Sequence, residues 1–192
     1  MAFADYLDLR TAVLEHVARP DIADVFPRLV KLAEAALNRR LRLRDMVTDW
    51  PVSFSSGLAP IPDDFLEAIG LFDASGREYV QQPLRAVRGS GAFYAVEGDW
   101  LRSQGIQGDC TLQYYAAIPT LTASNTTSNW LLERYPSVYL YAVGLEAAKY
   151  IRDVELAQTT RIVLDDEIAS VQADDTRARY ARARVRVQGM TP

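Results

Sequence analysis

One cysteine, one histidine and only two lysines in 192 residues remove several kinds of chemistry at the outset. The lone Cys110 excludes an intrachain disulfide and any cysteine-based zinc site. The lone His16 leaves no two-histidine metal site and no histidine relay within one chain. No apolar run approaches the roughly 20 residues needed to span a bilayer, so no membrane partner is expected. Asp5 and Asp8 interrupt the N-terminus where a secretory signal would be basic and then apolar. The chain is therefore expected to stay in the cytoplasm of the cell that makes it. No Walker loop, Gly-x-Ser-x-Gly elbow or zinc motif is present.

The composition that remains is that of an ordinary globular protein, 49% hydrophobic and 24% charged. Its length fits one domain, or a compact helical part carrying an inserted sheet. The net charge of -4 does not favour general binding to phosphate backbones. That charge is unevenly placed: residues 174–192 carry five arginines against Asp174 and Asp175, a local +3 that leaves -7 on residues 1–173. Arginine outnumbers lysine 19 to 2, a bias that a GC-rich genome explains as readily as a demand for bidentate contacts.

Two helices are expected first. Tyr6, Leu9, Val13, His16 and Val17 share one face of residues 4–19, and Pro20 ends that helix. A second helix runs from Asp21, or from nearer Val25 because of Pro27, to about Leu41 through Leu29, Leu32, Ala33, Ala36 and Leu37. The short loop between them predicts an antiparallel pair. Arg39, Arg40, Arg42 and Arg44 close the second helix. They read either as a charged helix end favoured by the dipole or as a surface that meets an acidic partner or a neighbouring subunit.

From Asp45 to Ile118 the texture changes to short strands and turns. Met46–Trp50 and Val52–Phe54 read as extended on either side of Pro51. Ser55-Ser56-Gly57, Asp73-Ala74-Ser75-Gly76 and Glu97-Gly98-Asp99 read as tight turns, and Cys110–Ala116 as the clearest strand. This pattern implies an antiparallel sheet or small barrel. Pro83–Arg88 reads as a single helical turn, and residues 119–128 as a polar linker.

The densest aromatic and apolar stretch is 129–153. Asn129 reads as an N-cap and Pro136 as the start of a second helix. Leu140, Gly144, Ala147, Ala148 and Ile151 then share a face of mostly small residues, on which another helix can approach closely. A last long helix runs from about Glu155 to Ala173 or beyond, with Leu164, Ile168 and Val171 as its buried stripe. The fold class expected from this order is α+β. Residues 1–44 and 129–176 form a four-helix-type bundle, residues 45–118 an inserted antiparallel β region, and residues 177–192 a tail. Wound as a helix, the tail's arginines fall on no single face. Laid out as a strand, Arg182, Arg184 and Arg186 alternate with Ala183, Val185 and Val187, the pattern of a strand added to a partner's sheet. A frayed terminus is the other reading.

No catalytic set emerges. Asp63, Asp64 and Glu67, and again Asp165, Asp166 and Glu167, are acidic groups placed where solvated turns or helix faces are expected, not in the shared pocket that paired carboxylates need. His16 on an apolar face reads as a core or interface histidine. Trp50, Trp100 and Trp130 lack the interleaved basic residues of a base-stacking surface. Neither enzymatic activity nor a cofactor or metal is expected.

Three passages carry a resemblance: Ile61-Pro62-Asp63-Asp64-Phe65-Leu66-Glu67; Leu112-Gln113-Tyr114-Tyr115-Ala116-Ala117-Ile118-Pro119-x-Leu121; and Asn129-Trp130-Leu131-Leu132-x3-Pro136-x2-Tyr139-Leu140-Tyr141-x3-Leu145-Glu146-Ala147-Ala148-x-Tyr150-Ile151-x-Asp153. Together with the helix–sheet–helix order, they resemble the head-to-tail adaptors of tailed bacteriophages, with those similar to podovirus tail tubular protein A the nearest in pattern. Thr159-Thr160-Arg161 departs from relatives, which tend to carry an aromatic residue there. The resemblance implies a structural virion protein at the head–tail interface, assembled in the bacterial host cytoplasm. It implies a homo-oligomeric ring of twelve copies beneath the portal protein, extending the DNA channel toward a tail-side stopper, nozzle or tail-tube component. DNA would pass without sequence-specific binding. Arg177, Arg179, Arg182, Arg184, Val185, Arg186 and Val187 are then the expected portal-docking segment, and Arg39, Arg40, Arg42 and Arg44 an expected subunit or partner interface. The competing reading is a nucleic-acid-binding or regulatory module that uses the same arginines.

Overall fold

The structure, a computed structural model, describes residues 3–83, 92–124 and 126–180. The chain divides into two compact units, one of residues 1–44 with 119–192 and one of residues 45–118. The expected four-helix-type bundle with an antiparallel insert is corrected here. The fold is a mixed α/β one, with five α-helices among the described residues and a seven-stranded, nearly closed, barrel-like sheet.

The first unit holds α1 (Tyr6–His16), α2 (Phe26–Arg40), α3 (Trp130–Arg134), α4 (Pro136–Ile151) and α5 (Val154–Tyr180). Its departure from a bundle lies in α4. A bundle helix buries one stripe, but α4 buries Val138, Tyr139, Ala142, Val143, Gly144, Leu145, Ala147 and Ala148, residues that run all round its axis. It is a central helix, packed by α1, α2, α3 and α5. Gly144 makes that possible on one side: a Cβ there would stand 3.1 Å from His16 Cδ2 of α1 and 3.8 Å from Thr160 Cγ2 of α5.

Local signals set the helix boundaries. The Asp5 carboxylate caps α1 by accepting from the Leu7 and Asp8 amides. A 3-10 turn at Pro20–Ile22 precedes α2, which has Pro27 in its first turn, where a missing N–H costs nothing. Asn129 caps α3 through the Leu132 amide, and Pro136 opens α4. One residue turns the chain from α4 into α5. Arg152 adopts a left-handed conformation (φ 62°), the Asp153 amide bonds back to the Ala148 carbonyl at 3.0 Å, and the Asp153 carboxylate accepts from the Leu156 amide at 2.9 Å.

The second unit is the sheet, formed by β1 (Val47–Phe54), β2 (Leu58–Pro60), β3 (Phe65–Asp73), β4 (Glu78–Gln81), β5 (Phe93–Glu97), β6 (Trp100–Gln104) and β7 (Gly108–Ala116). The strand order is β1-β7-β3-β4-β5-β6-β2. The β4–β5 pair is parallel and the others are antiparallel, which corrects the expectation of a wholly antiparallel region. The two edge strands are joined by a two-residue turn, Ser56-Gly57, with both residues at positive φ (53° and 77°), the backbone of a type I′ hairpin. The Gly57 carbonyl accepts from the Ser103 amide at 2.7 Å, and a Cβ on Gly57 would lie 2.8 Å from the Ser103 carbonyl oxygen. Glycine thus permits both the turn and the close approach that draws the sheet round on itself.

Pro51 lies inside β1 and does not divide two strands; β1 is an edge strand, where a residue without an N–H is tolerated. The unit has its own core: Val52, Phe54, Ala59, Leu71, Tyr94, Leu101, Ile106, Cys110, Leu112 and Tyr114. The expected helical turn at Pro83–Arg88 falls, from residue 84 on, outside the described residues.

Candidate interaction surfaces

The acidic groups that might have held chemistry do not converge. Asp165 pairs with Arg40 at 2.6 Å, Glu167 accepts from the Ser137 hydroxyl at 2.6 Å, and Asp166 between them is exposed. Consecutive residues of a helix point about 100° apart, so three neighbours in sequence cannot share a pocket. In the sheet unit Asp63 is exposed, and Asp64 accepts from the Tyr114 hydroxyl at 2.8 Å. His16 sits with Nε2 3.4 Å from Thr160 Oγ1 and its ring edge-on to Tyr141 at 5.7 Å. Among the described residues, no three His, Cys, Asp or Glu side chains stand together as a metal site would require, and no helix is long and apolar enough to cross a membrane.

Tyr114 also gives a readable titration. Burial, helped by the Asp64 carboxylate, pushes its phenol up to about 12. A phenol raised in the folded state contributes stability that is complete below the ordinary value near 10 and is lost as pH rises through about 12. Tyr114→Phe should remove one tyrosine from the late part of an alkaline absorbance titration. It should also cost the sheet unit about 1 kcal/mol at neutral pH, measured by denaturant unfolding. If the tyrosine lost is instead one that titrates near the ordinary value of about 10, the Asp64–Tyr114 pairing is contradicted.

The arginines at the end of α2 are mostly spent inside their own unit. Arg40 donates to Asp165 at 2.6 Å, and Arg42 donates to the Asn38 and Leu41 carbonyls at 2.7 and 2.6 Å. The Arg44 amide donates to Asp175 at 3.0 Å. The carbonyl contacts complete a helix C-terminus, whose last acceptors have no partner within the helix. Arg39 is exposed. Of the C-terminal set, Arg177 and Arg179 belong to α5, which continues as helix to Tyr180. Arg177 pairs with Asp174; Arg179 donates to Asp175 at 2.6 Å and to the Arg42 carbonyl at 3.1 Å. Arg182, Arg184, Val185, Arg186 and Val187 lie outside the described residues.

Two acids of the first unit, Glu34 and Asp175, are buried, which was not expected from the sequence. Asp175 receives the contacts just described. Glu34, only 3% exposed, accepts at Oε1 from the Leu121 amide at 2.8 Å and from the Tyr139 hydroxyl at 2.5 Å. Asn129 Nδ2 in turn donates to the Pro119 carbonyl at 2.6 Å and to the Tyr139 oxygen at 3.2 Å. This network fixes the segment after residue 118 against α2 and α4, and the Tyr6 amide holds it again through the Thr127 carbonyl at 2.7 Å. The signal for Glu34 was available: it lies three residues before Leu37 and four after Val30, on the buried stripe of α2.

The acids and arginines singled out in the sequence are thus largely engaged in contacts within their own unit. The class of protein, the bacteriophage head–tail adaptors, comes from the family match. The family model described as SU10 adaptor protein matches residues 4–188, and the chain belongs to that family. No curated protein matches it.

Proposed function

We propose that the protein is the ring-forming adaptor that joins a phage head to its tail. Many copies, twelve by the family resemblance, sit beneath the portal and extend the DNA channel toward a tail-side stopper, nozzle or tube component. The observation that carries this reading is the extent of the family match, residues 4–188, which takes in both units. The charge is compatible: a body carrying -7 over residues 1–173 does not hold DNA that slides past it. The finer likeness to tail tubular protein A rests on the three sequence passages alone. A nucleic-acid-binding module is the weaker reading, because the Arg40 and Arg42 side chains are engaged within the first unit.

The portal contact is assigned to the arginine-rich C-terminus. Arg179 is tied to Asp175 and the Arg42 carbonyl, so within this reading the docking segment is 181–192. The test is co-purification of the full chain, and of a chain ending at Tyr180, with portal particles from the same phage. The full chain should bind, and the truncated chain should lose at least about tenfold in affinity, of the order expected when several charged contacts are removed together. Equal binding by both contradicts the docking segment. Failure of the full chain to bind contradicts the adaptor reading itself.

A further inference from the structure

Two outer faces of the helical unit are complementary in charge and in spacing. The solvent side of α2 carries Arg28, Lys31, Leu32, Ala35 and Arg39; the only acid in the helix, Glu34, is turned inward and buried. The solvent side of α5 carries Glu155, Ile162 and Asp166. Each face exposes an aliphatic side chain, Leu32 at 54% and Ile162 at 64%. Arg28 and Arg39 have no ion-pair partner among the described residues, and neither do the carboxylates of Glu155 and Asp166.

The spacings match in reverse. From Arg28, Leu32 is four residues on and Arg39 eleven; from Asp166, Ile162 is four residues back and Glu155 eleven. At 1.5 Å per residue both sets place their aliphatic about 6 Å and their second charge about 16 Å along the helix, and each set spans about 40° of helix surface. Two such helices laid antiparallel bring Arg28 to Asp166, Leu32 to Ile162 and Arg39 to Glu155 in one register. Within one chain this pairing is not made, because each stripe lies opposite the buried stripe of its own helix.

We infer that α2 of one copy packs antiparallel against α5 of the next, in that register, and that this contact is the repeating interface of the assembly. The inference rests on the ring reading and names the surface that builds it. A contact between two different faces of one subunit is heterologous, the kind that closes into a ring when the rotation allows. The aliphatic pair supplies a desolvated centre, and the flanking ion pairs fix register and partner choice.

Charge reversal tests it. One variant carries Arg28→Glu and Arg39→Glu and so presents two acidic faces; the other carries Glu155→Lys and Asp166→Lys and presents two basic ones. All four positions are exposed; Arg39 and Glu155 each give up a favourable helix-end charge worth about 0.3–1 kcal/mol, so both variants should stay folded with melting temperatures only slightly below the wild type. Mass photometry and electron microscopy, each with and without portal particles, should show the wild type assembling and either variant alone weakened at least about tenfold. An equimolar mixture should assemble again, the two variants alternating. If each variant alone assembles like the wild type, or if the mixture fails as the single variants do, the interface is wrong while the ring stands. If the wild type itself forms no oligomer under either condition, the ring reading falls and takes the interface with it.

Discussion

Replacing Glu34 by alanine should destabilise the helical unit by about 3 kcal/mol, because it removes the acceptor from two buried donors at once. The Leu121 amide and the Tyr139 hydroxyl both end on Glu34 Oε1, and both residues are buried. Glu34→Gln keeps the acceptor and should cost about 1 kcal/mol or less. The pH dependence separates charge from hydrogen bonding. Burial raises the Glu34 carboxyl above its ordinary value, against the opposing effect of its hydrogen bonds from Tyr139, Leu121 and Thr120 and of the nearby Lys31. The folded state therefore retains a proton that the unfolded chain has already released. Its contribution is complete below the ordinary glutamate value of about 4.3 and declines as pH rises through the raised folded value. Denaturant unfolding across that window should show the decline in the wild type and none of it in Glu34→Gln. A decline as steep in the glutamine variant would assign it to another group.

Gly144→Leu should cost about 3 kcal/mol, and Gly144→Ala close to nothing. A methyl at this position meets His16 Cδ2 at 3.1 Å, tighter than ordinary contact, and relief of a helical glycine returns up to about 1 kcal/mol. The two nearly cancel. A leucine adds three more carbons between α4, α1 and α5, where Thr160 is buried and the helices are already in contact. Overpacking of this kind costs about 1–3 kcal/mol, and a central helix has no free side toward which to move. Thermal unfolding of the two variants checks the prediction; a leucine variant as stable as the alanine one would mean that α1 is not held against α4 as described.

These two positions show what the sequence could and could not reveal. The small-residue face of 129–153 was legible from its spacing, and so were the Asn129 cap and the Pro136 break, because each is a local property of a few residues. The spacing places Glu34 on the apolar stripe of α2, but its partners Leu121 and Tyr139 lie 87 and 105 residues later in the chain, so no local pattern shows the network. The bundle expected from four amphipathic patterns was wrong. Periodicity reports which side of a helix is apolar, but it does not report that one helix is surrounded by the others. In the sheet, the turns were visible as Gly and Asp clusters, whereas the order β1-β7-β3-β4-β5-β6-β2 and the parallel β4–β5 pair depend on contacts between residues far apart in the chain. The arginines closing α2 were visible as a cluster. Their partners Asp165 and Asp175 lie more than a hundred residues later, so no local pattern could separate the paired side chains from the exposed Arg39.

On the proposed function, copies of this chain close into a ring on the portal. Electron microscopy of the purified protein mixed with its portal particles tests this most directly. Class averages should show an added closed ring of adaptor density coaxial with the portal, its copy number countable from the end-on view. Portal particles bearing scattered single copies, or none, at saturating adaptor concentration would contradict it.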